Sequence, residues 1–447
     1  MSLIISVSGL RGVVGQTLTP AVAARYISAY MAVLPTGSVV VTRDGRASGA
    51  ELAESVCGAI AASGRQPLNA GPAATPTTGV LVRELGCVAG VQISASHNPA
   101  EWNGLKLFSA AGRVIPAAEG QQVLDRFATA EELAPTTTSG EPVLDTTSAH
   151  LGLVEKIVDV RAIQTKNYRV LLDANHGAGA VLGRKLLERL GCQVTVLGEE
   201  PDGQFAHTPE PTAENLASVL SQVTQVGAAI GFCQDPDADR LALVDETGRY
   251  VGEEYTPAVC VDHVLRTAAV NAAAGPVVTN CSTSRMTQDL AEQYAVPFHH
   301  AAVGEANVVD KMLEVDALLG AEGNGGVIDP RVGLVRDSFV GMALVLDAMA
   351  ARDLPLSQLV DELPRYAIHK AKVAVDRQAI PAALDRLQAH FSEAASSRLD
   401  GLRLDWPEEK KWLLVRASNT EPIVRLFCEA PTTEAAAQAA ADATRLL

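Results

Sequence analysis

Short apolar runs, rich in β-branched residues, recur along the chain, and each ends in a loop of Gly, Asp, Asn or Ser. Three of these runs, at 38–42, 169–172 and 276–279, are followed by stretches with helical periodicity. Such a pattern predicts β-loop-α units around a largely buried sheet. Because the same order of elements occurs three times, we expect three similar α/β domains.

Each predicted domain also contains a second apolar run that leads through a short loop into another strand-like run. So short a connection is typical of antiparallel pairing, which predicts mixed sheets. The loops that lie between these paired runs are unusually polar or glycine-rich: 94–99 (SASHNP), 235–240 (DPDADR) and 322–326 (EGNGG). We therefore expect each domain to present one functional loop.

The C-terminal part follows a different pattern, with predicted strands at 372–375, 412–416 and 424–428 and helices near 380–397 and 433–446. Runs of strands and helices in this order are typical of an α+β domain. The predicted fold class is therefore three similar mixed-sheet α/β domains plus a C-terminal α+β domain around a central cleft. We place the domains at 1–150, 151–254, 255–364 and 365–447.

The chain carries 36 Lys and Arg against 52 Asp and Glu, a formal net charge of −16. An acidic surface argues against nucleic acid and anionic membranes as partners, because both require basic patches. A small anionic substrate stays compatible with this charge if the basic groups cluster in the cleft.

The N-terminus lacks the pattern of a signal peptide, and no apolar run approaches the roughly 20 residues that span a bilayer. The seven cysteines are scattered and include no C-x-x-C pair, which predicts reduced thiols rather than a zinc site. We expect a cytoplasmic protein.

The loop at 235–240 carries three carboxylates at alternate positions, Asp235, Asp237 and Asp239. Three neighbouring carboxylates repel one another, and Mg²⁺ is the cation that suits an oxygen site with open positions. Arg240 beside them suits a phosphate near the metal. Two alternatives stay open: an acidic surface turn, and a calcium loop that would use Glu246 as its twelfth residue but has Arg240 where such loops have glycine.

The loop at 94–99 is predicted to lie at the surface and offers Ser96 as a nucleophile, which would need activation by a metal or a base. Serine in such loops also commonly forms turns or helix caps. His97 can bind a phosphate or donate a hydrogen bond. Lys106, on the next predicted strand, is a candidate acid, base or phosphate ligand.

A loop in the C-terminal domain combines two arginines with hydroxyl groups and consecutive N–H donors, which is typical of a phosphate-binding loop. Its candidate residues are Arg416, Ser418, Asn419, Thr420 and Arg425. Asn419 can adopt the left-handed conformation that otherwise favours glycine.

The glycine-rich loop at 322–326 offers Glu322 and Asn324, whose carboxylate and amide groups suit sugar hydroxyls. Among the histidines, His176 has an active-site and a structural interpretation, whereas His299 and His300 are interpreted as structural or surface residues.

Together these loops resemble one family, the α-D-phosphohexomutases. The resemblance covers essentially the whole chain and rests on the loops 94–99 and 235–240, the segment NGLK at 103–106, and the segments SGLRG at 8–12 and RDGR at 43–46. It implies that Ser96 is a phosphoserine and a ligand of Mg²⁺ together with Asp235, Asp237 and Asp239. It also implies reacting-site roles for His97, Lys106, Arg11 and Arg240, sugar contacts from Glu322 and Asn324, and phosphate binding by Arg416, Ser418, Asn419, Thr420 and Arg425.

The resemblance implies an intramolecular phosphotransferase that interconverts hexose 6-phosphates and hexose 1-phosphates through a hexose 1,6-bisphosphate. Many bacterial members carry Ser-Gly-His where this chain has NGG at 324–326, and the NGG form resembles a subset that acts on phosphoglucosamine. Glucosamine 6-phosphate is therefore the leading substrate, with mannose and glucose phosphates as alternatives. A metal-dependent phosphatase with Asp235 as its nucleophile and a sugar-phosphate sensor are the alternatives of other classes. The sequence leaves the oligomeric state open.

Overall fold

A computed structural model of the chain describes residues 3–131, 136–270, 273–418 and 423–447. The chain forms two compact units. The first contains the chain up to Val264 together with Asn324–Val360, and the second contains Leu265–Gly323 and Asp361–Leu447.

The first sheet of the first unit is built from β1 (Ile4–Ser6), β2 (Gly9–Val13), β3 (Ser38–Arg43), β4 (Gln66–Pro72), β5 (Ala89–Ile93), β6 (Trp102–Ser109) and β7 (Glu141–Pro142). Their order across the sheet is β1-β2-β6-β5-β3-β4-β7. Its helices are α1 (Pro20–Met31), α2 (Gly49–Ala62), α3 (Thr75–Glu84) and α4 (Ala117–Thr129). Strand β3 pairs in parallel with β4 and β5, whereas β5 and β6 are antiparallel, as the short connection between them predicts.

The second sheet repeats this arrangement with β8 (Arg169–Asp173), β9 (Gln193–Leu197), β10 (Ile230–Gln234) and β11 (Leu241–Asp245) in the order β11-β10-β8-β9. Strand β8 is parallel to β9 and β10, and β10 and β11 are antiparallel. The helices beside it are α5 (Ser148–Glu155), α6 (Val160–Lys166), α7 (Ala180–Arg189) and α8 (Ala217–Gln225). All residues of β10 and β11 are buried, so the Asp loop connects two strands that are held rigidly by their packing.

The next elements are α9 (Tyr255–Val270), β12 (Val277–Asn280), α10 (Met286–Gln293), β13 (Phe298–Ala301), α11 (Glu305–Val315) and β14 (Leu319–Glu322). Strand β12 pairs in parallel with β13 and β14 within the second unit. The chain then contributes β15 (Gly326–Ile328) and α12 (Ser338–Arg352) to the first unit, followed by α13 (Leu356–Asp361). Helix α12 packs against α5, α6 and α7, and its largely buried surface explains its apolar sequence.

The C-terminal sheet is antiparallel and contains β16 (Ala367–Ala374), β17 (Ala395–Ser397), β18 (Leu402–Trp406), β19 (Lys411–Ala417) and β20 (Ile423–Ala430) in the order β16-β20-β19-β18-β17. Helices α14 (Ile380–His390) and α15 (Thr433–Thr444) accompany it, with a 3₁₀ turn at Pro407–Glu409. The helix predicted over 380–397 is wrong at its end, because 395–397 pairs with β18 instead. Strand β18 itself was not predicted.

The predicted architecture of α/β domains with mixed sheets followed by an antiparallel α+β domain is confirmed, whereas the central cleft stays a prediction. The predicted domain boundaries stay predictions. Among the described residues, none of the helices combines the length and apolar character that a membrane span needs.

Candidate active site

The loop after β5 places Ser96 inside the first unit. Its side chain is buried rather than exposed as predicted, with 1% of its surface accessible. Ser96 has a positive φ of 51°, an uncommon conformation for a residue with a side chain. Its N–H donates to Ser94 Oγ at 2.9 Å, and Ser94 Oγ donates to Asp44 Oδ2 at 2.7 Å. These two hydrogen bonds stabilise the strained conformation of the turn.

Arg46 anchors the same loop through main-chain oxygens. Its guanidinium donates at 2.5–2.9 Å to the carbonyl oxygens of Ser96, Asn98, Pro99 and Trp102. Arg46 is 1% exposed, and Asp44 Oδ2 balances its charge at 3.0 Å from Nε. Because one rigid side chain satisfies so many carbonyls, the loop has little freedom to move.

The Asp loop between β10 and β11 brings a carboxylate to the serine. Ser96 Oγ donates to Asp235 Oδ2 at 2.9 Å. Asp235 Oδ1 accepts from the N–H groups of Asp239 and Arg240, each at 3.2 Å, which folds the loop back on itself. Ala238, with a φ of 54°, forms the turn, and Ser338 Oγ donates to its carbonyl at 2.7 Å.

Cations and a hydroxyl group bind one oxygen of each of the other two carboxylates. Lys106 Nζ lies 2.7 Å from Asp237 Oδ2 and 2.9 Å from Asp239 Oδ2. Thr75 Oγ1 donates to Asp237 Oδ2 at 2.5 Å, and Arg336 donates to Asp239 Oδ2 at 2.6 Å. Lys106, predicted as an acid, base or phosphate ligand, therefore pairs with the carboxylates in this structure.

The opposite oxygens of Asp237 and Asp239 could serve as ligands of a cation. Among the described residues, Asp237 Oδ1 and Asp239 Oδ1 are buried and have no hydrogen-bond partner. Asp235, Asp237 and Asp239 each offer an oxygen, and these atoms lie within 4.8 Å of one another. Buried carboxylate oxygens in such a set match the ligands that Mg²⁺ prefers, so the residues present fit this ion. The strands that flank the loop argue against a calcium loop between helices.

The charges around the three carboxylates separate their proton affinities. Burial and the neighbouring Asp237 and Asp239 raise the pKa of Asp235. Burial alone would also raise the pKa of Asp239, but Arg336 and Lys106 outweigh it and hold that pKa below its usual range. The pKa of Asp237 is likewise lowered, because Lys106 overcomes burial and the repulsion from Asp239. Two of the carboxylates are thus kept ionised.

The remaining predicted side chains of this site lie around the serine. Burial, followed by the charges of Arg240 and Arg11, lowers the pKa of His97 to about 2, so the imidazole is neutral. Its Nδ1 lies 3.3 Å from Ser96 Oγ. Arg240 Nε stands 3.9 Å from Asp235 and 3.8 Å from Asp239, an ionic contact without hydrogen-bond geometry. Arg11 donates to the Asn98 side chain at 3.2 Å.

The glycine-rich loop has structural reasons for its composition. Gly325 has a φ of +82°, and a Cβ there would come 2.2 Å from the Leu241 carbonyl oxygen. A Cβ on Gly326 would come 2.3 Å from Arg336 Cδ, so a side chain here would displace the arginine that binds Asp239. Asn324 Oδ1 accepts from the Gly326 N–H at 3.3 Å. Within the first unit, this loop therefore packs beside the Asp loop.

Glu322 belongs to the second unit. Its side chain is buried, and Oε1 accepts from Asn280 Nδ2 at 2.7 Å and from the Gly304 N–H at 3.2 Å.

Two arginines of the second unit that are predicted to bind phosphate lie on neighbouring strands. Arg416 on β19 and Arg425 on β20 are directly opposite in the register, and Lys372 on β16 is opposite Arg425 on its other side. Opposite residues of antiparallel strands project from the same face, so these three cations form one row. Ser418 is buried, and its N–H donates to the Ile423 carbonyl at 2.9 Å. Asn419 and Thr420 lie outside the described residues.

The histidines outside these loops have other partners. His176 Nδ1 lies 3.1 Å from Asp202 Oδ1, which supports its structural interpretation. His299 and His300 lie on β13 and are partly buried, and burial lowers the pKa of His300 to about 3.

Sequence reasoning gave no role to several residues that position the site, namely Asp44, Arg46, Thr75 and Arg336. The first two belong to the segment RDGR at 43–46, which carries part of the family resemblance and lies at the carboxyl end of β3, where parallel strands end at the same sheet edge. Nothing in the local sequence of Thr75 or Arg336 marks them.

Family models match the chain along its length. Those for the α/β/α domains I, II and III of phosphoglucomutase/phosphomannomutase match residues 3–134, 148–248 and 253–366, and the model for the C-terminal domain matches 371–446. A phosphoglucomutase/phosphomannomutase of Thermococcus kodakarensis is 34% identical over 96% of this chain and 94% of its own. A protein of Methanopyrus kandleri named "Probable phosphoglucosamine mutase" is 30% identical over 96% of this chain and 94% of its own.

Solved structures show the same fold. A phosphoglucomutase/phosphomannomutase family protein from Burkholderia thailandensis superposes with a TM-score of 0.84 at 26% identity and covers 99% of this chain and 98% of its own. The Aspergillus fumigatus N-acetylphosphoglucosamine mutase, whose structure contains GlcNAc-6P and magnesium, superposes with a TM-score of 0.54 at 16% identity over 83% of this chain and 92% of its own. The matches over all four domains establish that the chain belongs to the phosphoglucomutase/phosphomannomutase family and is a phosphohexomutase, an intramolecular phosphotransferase of the isomerase class.

Proposed function

We propose that this phosphohexomutase works through a phosphoserine at Ser96 and converts glucosamine 6-phosphate to glucosamine 1-phosphate. The observation that carries the proposal is the 2.9 Å hydrogen bond from Ser96 Oγ to Asp235 Oδ2, which joins the nucleophile to the acidic loop. The alternatives within the family are mannose and glucose phosphates.

The reaction would proceed in two half-reactions that balance. The free hydroxyl of the sugar monophosphate attacks the phosphorus on Ser96, so the bond from phosphorus to Ser96 Oγ breaks and a bond to the sugar oxygen forms. The resulting hexose 1,6-bisphosphate reorients in the site. Ser96 Oγ then attacks the other phosphoryl group of the bisphosphate, and the bond from that phosphorus to the sugar oxygen breaks. In the first half-reaction the sugar hydroxyl loses a proton and Ser96 Oγ gains one. In the second half-reaction Ser96 Oγ loses a proton and the other sugar oxygen gains one.

Mg²⁺ bound by Ser96, Asp235, Asp237 and Asp239 would supply neutralisation of the negative charge on the transferring phosphoryl group. The Oδ1 atoms of Asp237 and Asp239, which lack a hydrogen-bond partner in the described part of the chain, support this ligand set. Arg46 keeps the serine loop in position, and the neutral His97 serves as a hydrogen-bonding group rather than as a charged acid. Arg11 and Arg240 offer positive charge to the phosphoryl oxygens.

The phosphate that is not reacting needs its own site. The cation row that includes Arg416 and Arg425 supports such a site, because an arginine pair binds phosphate oxygens with charge-assisted hydrogen bonds. We assign Ser418, Asn419 and Thr420 to the same site. Glu322 and Asn324 are proposed to bind the sugar hydroxyls.

The preference for glucosamine rests on the NGG sequence at 324–326 and on the name of the Methanopyrus kandleri relative. The packing of Gly325 and Gly326 against Leu241 and Arg336 gives these glycines a structural role as well.

A coupled assay of glucosamine, mannose and glucose 6-phosphates, each with its 1,6-bisphosphate and Mg²⁺, tests the proposal. We expect the highest kcat/KM with glucosamine 6-phosphate. A higher value for mannose or glucose phosphate would overturn the assigned sugar but keep the mechanism. Release of inorganic phosphate in place of the 1-phosphate would overturn the mechanism in favour of a phosphatase.

A further inference from the structure

Asp400, in the loop between β17 and β18, contacts both a main-chain group and a phosphate-binding arginine. Its Oδ2 accepts from the Val303 N–H at 3.0 Å and lies 3.0 Å from Arg416 Nε. The contact with Arg416 is ionic rather than a directed hydrogen bond, because Nε lacks an acceptor with suitable geometry among the described residues. One carboxylate oxygen therefore joins Arg416 to the turn after β13.

The next residue of that turn binds the proposed sugar ligand. The Gly304 N–H donates to Glu322 Oε1 at 3.2 Å. Consecutive N–H groups of the turn are thus bound by two carboxylates, Asp400 on one side and Glu322 on the other. Gly304 has a φ of +121°, which residues with a side chain rarely adopt, so the path of the chain through this turn depends on the glycine.

We infer that Asp400 is a positioning residue that fixes the spacing between Arg416 and Glu322. All of these residues lie in the second unit, so the connection runs through one compact body. The inference rests on the proposed function, because it takes Arg416 to bind the phosphate and Glu322 the sugar of the same substrate. A fixed spacing lowers the entropic cost of binding both ends of a hexose phosphate.

The test compares Asp400→Ala and Asp400→Asn with wild type, using the hexose 6-phosphate that wild type turns over best. Asp400→Ala should raise KM roughly 5- to 20-fold and raise the inhibition constant for inorganic phosphate by a similar factor, with a smaller change in kcat. Asp400→Asn keeps an acceptor for the Val303 N–H and should have a smaller effect. Asp385→Asn, which loses an exposed ion pair with Arg398 in the same unit, is the matched control and should leave both constants unchanged.

Double variants separate positioning from a merely structural role. In an Arg416→Gln background, Asp400→Ala should add little to the KM, because it acts through the missing arginine. When Asp400→Ala is combined with Glu322→Gln, KM should rise by less than the product of the two single increases. Circular dichroism and thermal unfolding verify the fold, and Asp400→Asn carries the comparison if the alanine variant is unfolded.

The outcomes distinguish the inference from the function on which it rests. Arg416→Gln with unchanged kcat/KM would remove the proposed phosphate site itself. Arg416→Gln with a raised KM, combined with folded Asp400 variants that bind substrate and phosphate like wild type, would overturn the positioning role alone. The positioning role would also be overturned if KM in the double variant rose by the full product of the Asp400→Ala and Arg416→Gln increases.

Discussion

The hydroxyl of Ser96 donates to Asp235 Oδ2 at 2.9 Å, although 139 residues separate the two in the chain. Ser96 lies in the loop after β5 and Asp235 in the loop after β10, so the corresponding loops of two repeated α/β domains meet at this bond. The protein thereby brings the proposed nucleophile of one domain against the proposed metal-binding loop of the next.

The anchoring of the serine loop predicts that Arg46 is as important for activity as the residues that react. Arg46→Gln should lower kcat at least about 100-fold, because a small displacement of a positioned group is costly, and lower the free energy of unfolding by about 3–5 kcal/mol. Steady-state kinetics and chemical denaturation measure the two effects.

Arg65→Gln is the matched control for Arg46, since Arg65 also binds main-chain oxygens, those of Leu34 and Pro35, but is only partly buried. It should keep wild-type kcat. An Arg46 variant that is folded and fully active would show that the carbonyl contacts do not position Ser96.

The open oxygens of the Asp loop predict that Asp237→Asn weakens Mg²⁺ binding about tenfold or more, because the site loses one anionic ligand. Isothermal titration of Mg²⁺ into metal-free enzyme measures this directly, and kcat should fall with occupancy. Asp245→Asn is the control, because Asp245 is buried on the same hairpin but is bound by Thr247 and Arg249. Equal Mg²⁺ affinity in wild type and Asp237→Asn would exclude Asp237 as a ligand.

The cation row on the C-terminal sheet predicts that Arg425→Ala raises KM for the sugar phosphate and lowers kcat. A charge-assisted pair is worth about 1.5–3 kcal/mol, or roughly 10- to 150-fold in kcat/KM. Arg398→Ala, at an exposed site paired with Asp385, should behave like wild type. An Arg425→Ala variant with unaltered kcat/KM for every hexose phosphate would remove this residue from the phosphate site.

The His207–Asp173 pair predicts a pH-dependent contribution to stability. Burial would lower the pKa of His207, but its 2.8 Å contact with Asp173 outweighs burial and raises that pKa. A raised pKa stabilises the fold below the ordinary histidine pKa of about 6.5, and this contribution is lost as the pH rises through the folded value. The difference in unfolding free energy between wild type and His207→Asn should therefore be larger at about pH 6 than at about pH 8.5. A difference that grows with pH would contradict this assignment.

The sequence predicts the strands and their end loops well because these depend on local periodicity. The runs that precede the loops 94–99 and 235–240 became β5 and β10, and the short connections became antiparallel hairpins. The end of α14 was wrong, since the small residues 395–397 have no local preference strong enough to outweigh pairing with β18.

The candidate site was predictable as a set of residue types but not as a set of contacts. The triad Asp235, Asp237 and Asp239 was visible from its spacing, and the structure gathers its oxygens. The pairing of Lys106 and Arg336 with these carboxylates was not, because it depends on how distant strands pack. The burial of Ser96 was missed for the same reason. A loop that is buried by distant parts of the chain has no local sequence pattern that distinguishes it from an exposed loop.

The proposal that Ser96 carries the phosphoryl group can be tested by locating that group on the enzyme. The enzyme is incubated with hexose 1,6-bisphosphate and Mg²⁺, and intact-mass spectrometry with site mapping is applied to wild type and Ser96→Ala, alongside their mutase rates. We expect one phosphoryl group on Ser96 of wild type, none on a folded Ser96→Ala protein, and a rate for the variant lower by several orders of magnitude. Phosphate on Asp235, or a Ser96→Ala variant that turns over at nearly the wild-type rate, would contradict the assignment of Ser96 as the phosphoserine.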